Sequence, residues 1–219
     1  MWSLSKQILV GWYCLAAATL CTPAAAEPGI EEALGLAWGM SLDELLESDA
    51  NITLDDMCLD ENDGRSFLVH GLQAWLPDIA QVIVFLGFDD RLWRISVQGK
   101  TILDTSGQGA ELLTRYDELR DFLVEHYGEG SAEHYREPWV EERPAEYLGS
   151  LQMGNSWHYS QFDADATSVQ LGLRAKNVVS GYYQIYAKQL ELEAETDAMA
   201  QAMRLGEALE VMPELPAEC

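Results

Sequence analysis

Residues 81–98, QVIVFLGFDDRLWRISVQ, predict a β-hairpin around which the other elements can be arranged. The first arm, residues 82–88, is apolar on both faces, as is typical of a strand in the interior of a sheet. Residues 89–91 supply a polar turn. The second arm alternates between an apolar and a polar face, with Trp93, Ile95 and Val97 opposed to Arg94, Ser96 and Gln98. One side of the hairpin must therefore be covered by other parts of the chain.

A predicted helix at residues 110–127 can cover that side of the hairpin. Residues 110–127 carry an apolar stripe at helical spacing, formed by Leu112, Tyr116, Leu119 and Leu123. Gly128 follows as a C-terminal cap. We expect this helix to pack across the apolar face of the sheet, over the hairpin.

Two further helices are predicted from their caps. Ser41 and Glu44 have the spacing of a capping box, which predicts a short helix through Ser48. Thr196 is expected to cap a last helix that ends near Met212.

Strand patterns occur on both sides of the hairpin. Before it, residues 66–72 predict a strand, and Ile52 and Leu54 predict an edge strand. After the long helix, residues 129–143 are expected to form a charged loop. Three runs at near-regular spacing then predict a β-meander, namely 156–162, 167–174 and 181–188. The sum is an α+β fold: an antiparallel sheet of about five or six strands, one long helix packed on one face, and a C-terminal helix.

Four segments together resemble a class of small exported bacterial proteins of mostly unknown function. They are LAWGMSLDELLE at 36–47, FDDRLWRI at 88–95, HYGEG at 126–130 and GYYQIYAK at 181–188. The shared outline is a Trp-Gly-Met-Ser helix start, a Phe-Asp-Asp-Arg-Leu-Trp hairpin and a helix ending in His-Tyr-Gly. The resemblance ends at Lys188. It implies a sheet-and-helix domain in the cell envelope and supplies no catalytic residues.

Residues 1–26 have the order of a secretory signal. Lys6 precedes an apolar run over residues 8–20, and small residues occupy 24–26. We expect cleavage after Ala26, with an uncleaved anchor as the alternative because the apolar run is nearly long enough to span a membrane. The predicted organisation is a signal at 1–26, an α+β domain at 27–195 and a C-terminal helix and tail at 196–219. The expected location is periplasmic or secreted, without membrane association after cleavage.

The formal net charge of −24 limits the classes of partner. Nucleic acid and anionic membranes are excluded, because both require a basic surface. Two interpretations of the charge remain, namely solubility or adaptation to a salty medium, and attraction of a basic partner protein. The even spread of acids along the chain favours the first.

Cys58 and Cys219 remain after the expected cleavage. In an oxidising compartment they could form a disulfide, and the terminal position of Cys219 leaves a free or intermolecular thiol as the alternative. The acidic segment 55–64 and the turn at 163–167 both lack glycine at the position that a calcium loop requires. No metal or other cofactor is therefore predicted.

Histidine is the remaining candidate for chemistry. His126 and His134, with nearby glutamates, could gather a metal or a hydrolytic site. The simpler interpretation is that His126 complements the dipole at the end of the long helix. His158 is expected to face water. No nucleophile elbow or phosphate-binding loop is present in the sequence.

Aromatic residues concentrate in the meander. Strand alternation puts Tyr182 and Tyr186 on one face and Tyr183 on the other. Because one face must be core, the other is a candidate binding surface, which we assign to Trp157, Tyr159, Tyr182 and Tyr186. The preference of aromatic residues for sheets explains the same pattern without a site.

These observations favour a non-enzymatic exported protein that binds another protein, with an immunity-type inhibitor of a basic exported toxin as one version. Two alternatives stay open. One is a hydrolase with a carboxylate and histidine site. The other is a small-ligand binder with an apolar cavity between sheet and helix, next to Trp93.

Overall fold

The computed structural model describes residues 32–33, 35–48, 52–57, 64–71, 76 and 78–204. The predicted signal at 1–26, both Cys58 and Cys219, and the predicted last helix beyond residue 204 lie outside these residues. Most of the acidic segment 55–64 does so as well.

The described chain forms eleven strands and five α-helices. In chain order they are β1 (Glu32–Ala33), β2 (Leu36–Ala37), α1 (Leu42–Ser48), β3 (Thr53–Met57), β4 (Arg65–His70), β5 (Ile79–Leu86), β6 (Leu92–Gly99), β7 (Ile102–Leu103), α2 (Ala110–Tyr127), β8 (Ser131–Tyr135), α3 (Pro138–Glu142), α4 (Tyr147–Gln152), β9 (Trp157–Ala164), β10 (Thr167–Asn177), β11 (Ser180–Gln189) and α5 (Leu190–Arg204). A 3₁₀ turn at Pro144–Glu146 precedes α4.

The main sheet is built from two antiparallel meanders. Its strand order is β3-β4-β5-β6-β11-β10-β9-β8, and the short β7 also pairs with β11. The first meander ends at β6, the chain crosses through α2, and the second meander returns so that β11 lies beside β6. The prediction of five or six strands was therefore wrong. Residues 129–143 contain β8 and α3, where we expected only a charged loop.

The predicted hairpin is confirmed as β5 and β6, with β5 between β4 and β6. Val82 pairs with Val97 and Val84 with Ile95, and all four side chains are buried on one face. The register shifts near the turn, because Phe85 pairs with Arg94 whereas Leu86 pairs with Leu92. Trp93 is the extra residue of this bulge. It is buried outside the main core cluster, so the expectation that it shares a face with Ile95 and Val97 was wrong.

Helix α2 has the predicted limits and the predicted buried stripe. Gly128 caps it through a bond from its amide to the Val124 carbonyl, 2.9 Å long. The principal contacts of α2 are with β7, β9, β10 and β11, so the helix covers the second meander. The expectation that it covers the hairpin was wrong. Because β11 pairs with β6, the strands β11, β10 and β9 follow β6 in the sheet, and α2 packs on these three strands.

The two capped helices differ in outcome. The Ser41–Glu44 capping box is confirmed, with the Ser41 amide 2.9 Å from Glu44 Oε2 and the Glu44 amide 3.3 Å from Ser41 Oγ. Helix α5 instead begins at Leu190, where the Gln189 side chain accepts the Leu192 amide at 2.6 Å. The expected cap at Thr196 was wrong, because Thr196 lies within the helix and not at its start. Its side chain is buried against Gly87. The division of the chain predicted at 195/196 falls within α5.

The packing of α2 on the second meander is tested by Leu119→Ala. Leu119 is 1% exposed, so its truncation should lower the free energy of unfolding by about 2–5 kcal/mol. Glu125→Ala, on the exposed side of the same helix, should change it by less than about 0.5 kcal/mol. Chemical denaturation measures both. Equal effects of the two changes would contradict the assigned packing.

Candidate functional site

The second meander has an inner face toward α2 and an outer face. Strand alternation assigns each side chain, and the register carries that assignment from strand to strand. Leu171 and Ile185 are paired and buried on the inner face. Gln170 and Tyr186 are paired on the outer face and remain half-buried.

All four predicted binding residues lie on the outer face. Tyr183 is 1% exposed on the inner side, which places Tyr182 and Tyr186 outside, as expected. Trp157 and Tyr159 alternate with the inner residues of β9 and so also point outward. Trp157 keeps 43% of its surface exposed.

The structure adds Tyr135 to this set. Its ring stacks on Trp157 with centroids 4.4 Å apart, and the two residues are paired across β8 and β9. We call the set Tyr135, Trp157, Tyr159, Tyr182 and Tyr186 the aromatic face. Tyr135 was missed because β8 was not recognised as a strand. The only available signal was the alternation of Glu133 and Tyr135 with Ala132 and His134 in five residues that lack valine and isoleucine.

Two further residues shape the aromatic face: Glu133, a charged residue beside Tyr159, and Gly172, which leaves a gap. Tyr159 donates its hydroxyl to Glu133 Oε2 at 2.5 Å, and this bond raises the pKa of Tyr159. Gly172 pairs with Tyr159 on one side and Gln184 on the other. It leaves open space between them, because a Cβ there would meet only ordinary contacts at 3.8 Å. The rings of β8 and β9 are thus separated from those of β11 by the outer side of β10, where Gly172 forms the gap.

A polar groove of about 270 Å³ continues the outer face toward β6. Its lining comprises Arg94, Gln161, Ser168, Gln170, Tyr186, Lys188 and Glu193. Lys188 forms an ion pair of 2.9 Å with Glu193 of α5. The guanidinium of Arg94 lies 3.7 Å from the Phe85 ring centroid and 4.8 Å from that of Trp93. This groove is lined mainly by polar side chains and lies on the outer face, whereas the ligand-binder hypothesis expected an apolar cavity between sheet and helix, next to Trp93.

Two of the four histidines, His134 and His158, form a cluster on the inner face. His134 and His158 are paired across β8 and β9, and their rings stack with centroids 3.9 Å apart. The Tyr116 ring of α2 meets His158 edge-on at 4.3 Å, and its hydroxyl is 2.6 Å from Ser160 Oγ. Our expectation that His158 faces water was wrong, since the imidazole points toward the helix side of the sheet.

Burial gives this cluster unusual pKa values. Burial, together with the nearby positive charges of His134 and Arg136, lowers the pKa of His158 to about 4. Burial also raises the pKa of Tyr147, whose ring lies 4.4 Å from the Arg136 guanidinium, to about 12. At neutral pH the cluster therefore contains an uncharged His158 and an uncharged Tyr147.

The alternative that placed His126 and His134 in one site gains no support from their contacts. His126 is exposed, stacks on Phe122, and has Nδ1 2.9 Å from the Phe122 carbonyl oxygen. His134 instead contacts His158. Within the described ranges, no three His, Cys, Asp or Glu residues gather as ligands for a metal ion. Asp163 accepts the Gln161 amide at 3.1 Å in the turn that we compared with a calcium loop.

Comparison with known proteins gives no relative for this chain. No family model, no curated protein and no solved structure matches it. The resemblance to small exported bacterial proteins stays a prediction. Of the helices in the described part of the chain, none has the length and apolar character needed to cross a membrane.

The low pKa of His158 predicts an acid-dependent loss of stability. His158 stays neutral in the folded state down to about pH 4, whereas the unfolded chain binds the proton near pH 6.5. The unfolded state therefore binds more protons between these values, and stability falls as the pH is lowered through them. Wild-type protein should lose about 2–3 kcal/mol more than His158→Asn between pH 7 and 4.

An NMR titration of the imidazoles checks the same point directly. The midpoint of His158 should lie near 4 and should rise in His134→Asn, because one neighbouring positive charge is removed. A wild-type midpoint at 6.5 would refute the assigned burial.

Proposed function

We propose that this is an exported, non-enzymatic protein that binds another protein through the aromatic face. The observation that carries the proposal is the solvent exposure of a stacked Trp157–Tyr135 pair, 43% and 36% exposed, beside three further tyrosines on one sheet face. Exposed tryptophan and tyrosine are costly to leave in water and are enriched where protein interfaces gain most of their affinity. Export is supported by the signal pattern of residues 1–26.

The inner face of the same strands supports this choice of surface. The aromatic side chains of β9 and β11 alternate with buried residues, such as Ser160, Tyr183 and Ile185. The core therefore fixes the backbone that carries the rings. A surface held in this way loses little conformational entropy on binding.

The charge supports a basic partner. With a net charge of −24, the protein attracts positively charged proteins at long range and accelerates their association at low salt. Adaptation to a salty medium accounts for the same charge, and the salt dependence of binding distinguishes the two explanations. The immunity-type inhibitor is one version of this proposal.

The hydrolase alternative has weaker support. Ser160, the hydroxyl nearest the histidine cluster, is fully buried and bonded to Tyr116. Neither His134 nor His158 forms an ion pair or hydrogen bond with a carboxylate in the described part of the chain, so no acid orients the imidazole. The ligand-binder alternative rests on the polar groove, whose volume is slightly below the usual range for small-molecule pockets.

Two variants of the outer face test the proposal. The quadruple change of Trp157, Tyr159, Tyr182 and Tyr186 to serine should weaken capture of partner proteins from the exporting compartment by at least about 100-fold, because each lost aromatic anchor costs about 1–2 kcal/mol. Gly172→Arg should have a similar effect by placing a long side chain of the partner's own charge in the gap without removing a ring. Quantitative affinity capture with purified protein as bait measures both.

The matched control variant removes exposed apolar side chains that lie outside the aromatic face. Met153 and Val178 are 64% and 58% exposed and lie at the end of α4 and in the turn between β10 and β11, outside the aromatic face. Their combined change to serine should leave capture unchanged. Equal loss of capture in both variants, or none in either, would refute the aromatic face as the binding surface.

A further inference from the structure

The edge strand β8 adjoins the aromatic face and has an open side. Among the described strands it pairs only with β9, and it ends the sheet. All five of its residues are exposed. An unpaired strand edge presents a row of backbone donors and acceptors that another strand can complete.

Part of the usual protection against pairing is missing from this edge. It contains no lysine, no proline, and no register shift against β9, and Glu133 is its one acidic side chain. The opposite edge, β3, carries two acidic side chains, Asp55 and Asp56, in its five residues. Of the two edges, β8 is therefore the better acceptor of an added strand.

The side chains of β8 hold it in place for such pairing. Tyr135 stacks on Trp157, His134 stacks on His158, and Glu133 accepts the Tyr159 hydroxyl. Gly130 permits the close entry of the chain, because a Cβ there would be 2.5 Å from the Gln161 carbonyl oxygen and from the Phe162 ring. The edge is therefore ordered before any partner binds, which lowers the entropic cost of binding.

We infer that the partner contributes an extended basic segment that adds to β8 as a further strand of the sheet. This inference rests on the proposed function and names how the same surface is engaged. A residue opposite Glu133 would lie at cross-strand pairing distance, where lysine or arginine is favoured. Glu129 and Glu137 flank the strand and extend the same charge preference, whereas the intervening Arg136 lies over the Tyr147 ring, 4.4 Å from its centroid.

Other occupants fit the charges less well. A second copy would bring together two chains of −24 each, and antiparallel self-pairing centred on Glu133 would place like carboxylates opposite each other. The sequence of residues 205–219 has four glutamates, no lysine or arginine, and two prolines. Proline removes a backbone donor, and the glutamates would repel Glu133.

A synthetic peptide in which lysine alternates with threonine tests the inference on the full-length protein. Binding should protect from hydrogen exchange those backbone amides of residues 131–135 that point away from β9, and it should shift the NMR signals of the strand. A peptide of the same composition with alternate backbone nitrogens methylated keeps the charge but cannot complete the ladder, and it should bind at least about ten-fold more weakly. A glutamate–threonine peptide should not bind.

The variants Glu133→Lys and Glu129→Lys separate pairing from general attraction. The first should weaken the lysine peptide by about ten-fold or more, and the second, outside the strand, by no more than about three-fold. Methylated and unmethylated peptides that bind equally would overturn the inference. Protection that rises with protein concentration alone would also overturn it and assign the edge to a second copy.

The two proposals fail in distinguishable ways. If the serine variant of the aromatic face loses its captured partners while β8 amides stay unprotected in the complex, the aromatic face binds and strand addition is wrong. If capture is unaffected by the aromatic changes but the peptide still protects β8, the edge binds independently and the aromatic proposal is wrong.

Discussion

The pairing of β6 with β11 is the contact on which the rest of the structure depends. It joins two meanders that are separated in the chain by α2, and it places Ile95 against Ala187 and Val97 against Ile185 in the core. Gly99 makes room for the Tyr183 ring, since a Cβ at that position would lie 2.1 Å from it. Because side chains alternate with a period of two, this one register decides which residues of the second meander face α2 and which face solvent. A slip by one residue would bury Tyr182 and Tyr186 and expose Tyr183.

The elements that local patterns specify were predictable. The stripe of α2 repeats at helical spacing from Leu112 to Leu123, and the strands of the second meander alternate between apolar and polar residues. Both signals are contained in the segment itself, so they need no knowledge of its neighbours. The faces of Tyr182, Tyr183 and Tyr186 follow from the same alternation, and this part of the candidate site could be predicted.

The features that tertiary pairing creates could not be predicted. The five residues of β8 have no strand pattern of their own and form a strand because β9 is available beside them. The contacts of Tyr135 with Trp157 and of His134 with His158 both depend on that pairing. The bulge at Trp93 and the start of α5 have a similar origin. Thr196 is of the right type for a cap. Gln189, which directly follows the last β11 residue paired with β6, accepts the Leu192 amide and provides the cap instead.

The acidity of the chain determines which other chains can pair with the open edge of β8. An ordered, exposed edge without lysine or proline is a hazard for self-association, because it can pair with the same edge of another copy. A net charge of −24 opposes the approach of two copies, and Glu133 at the middle of the strand opposes their antiparallel alignment. The same charge lowers the barrier for a basic strand. In the proposed mode of binding, the negative charge therefore protects the edge from other copies of this chain and also selects a basic partner strand. The aromatic rings beside the edge supply the apolar contact that charge alone does not give.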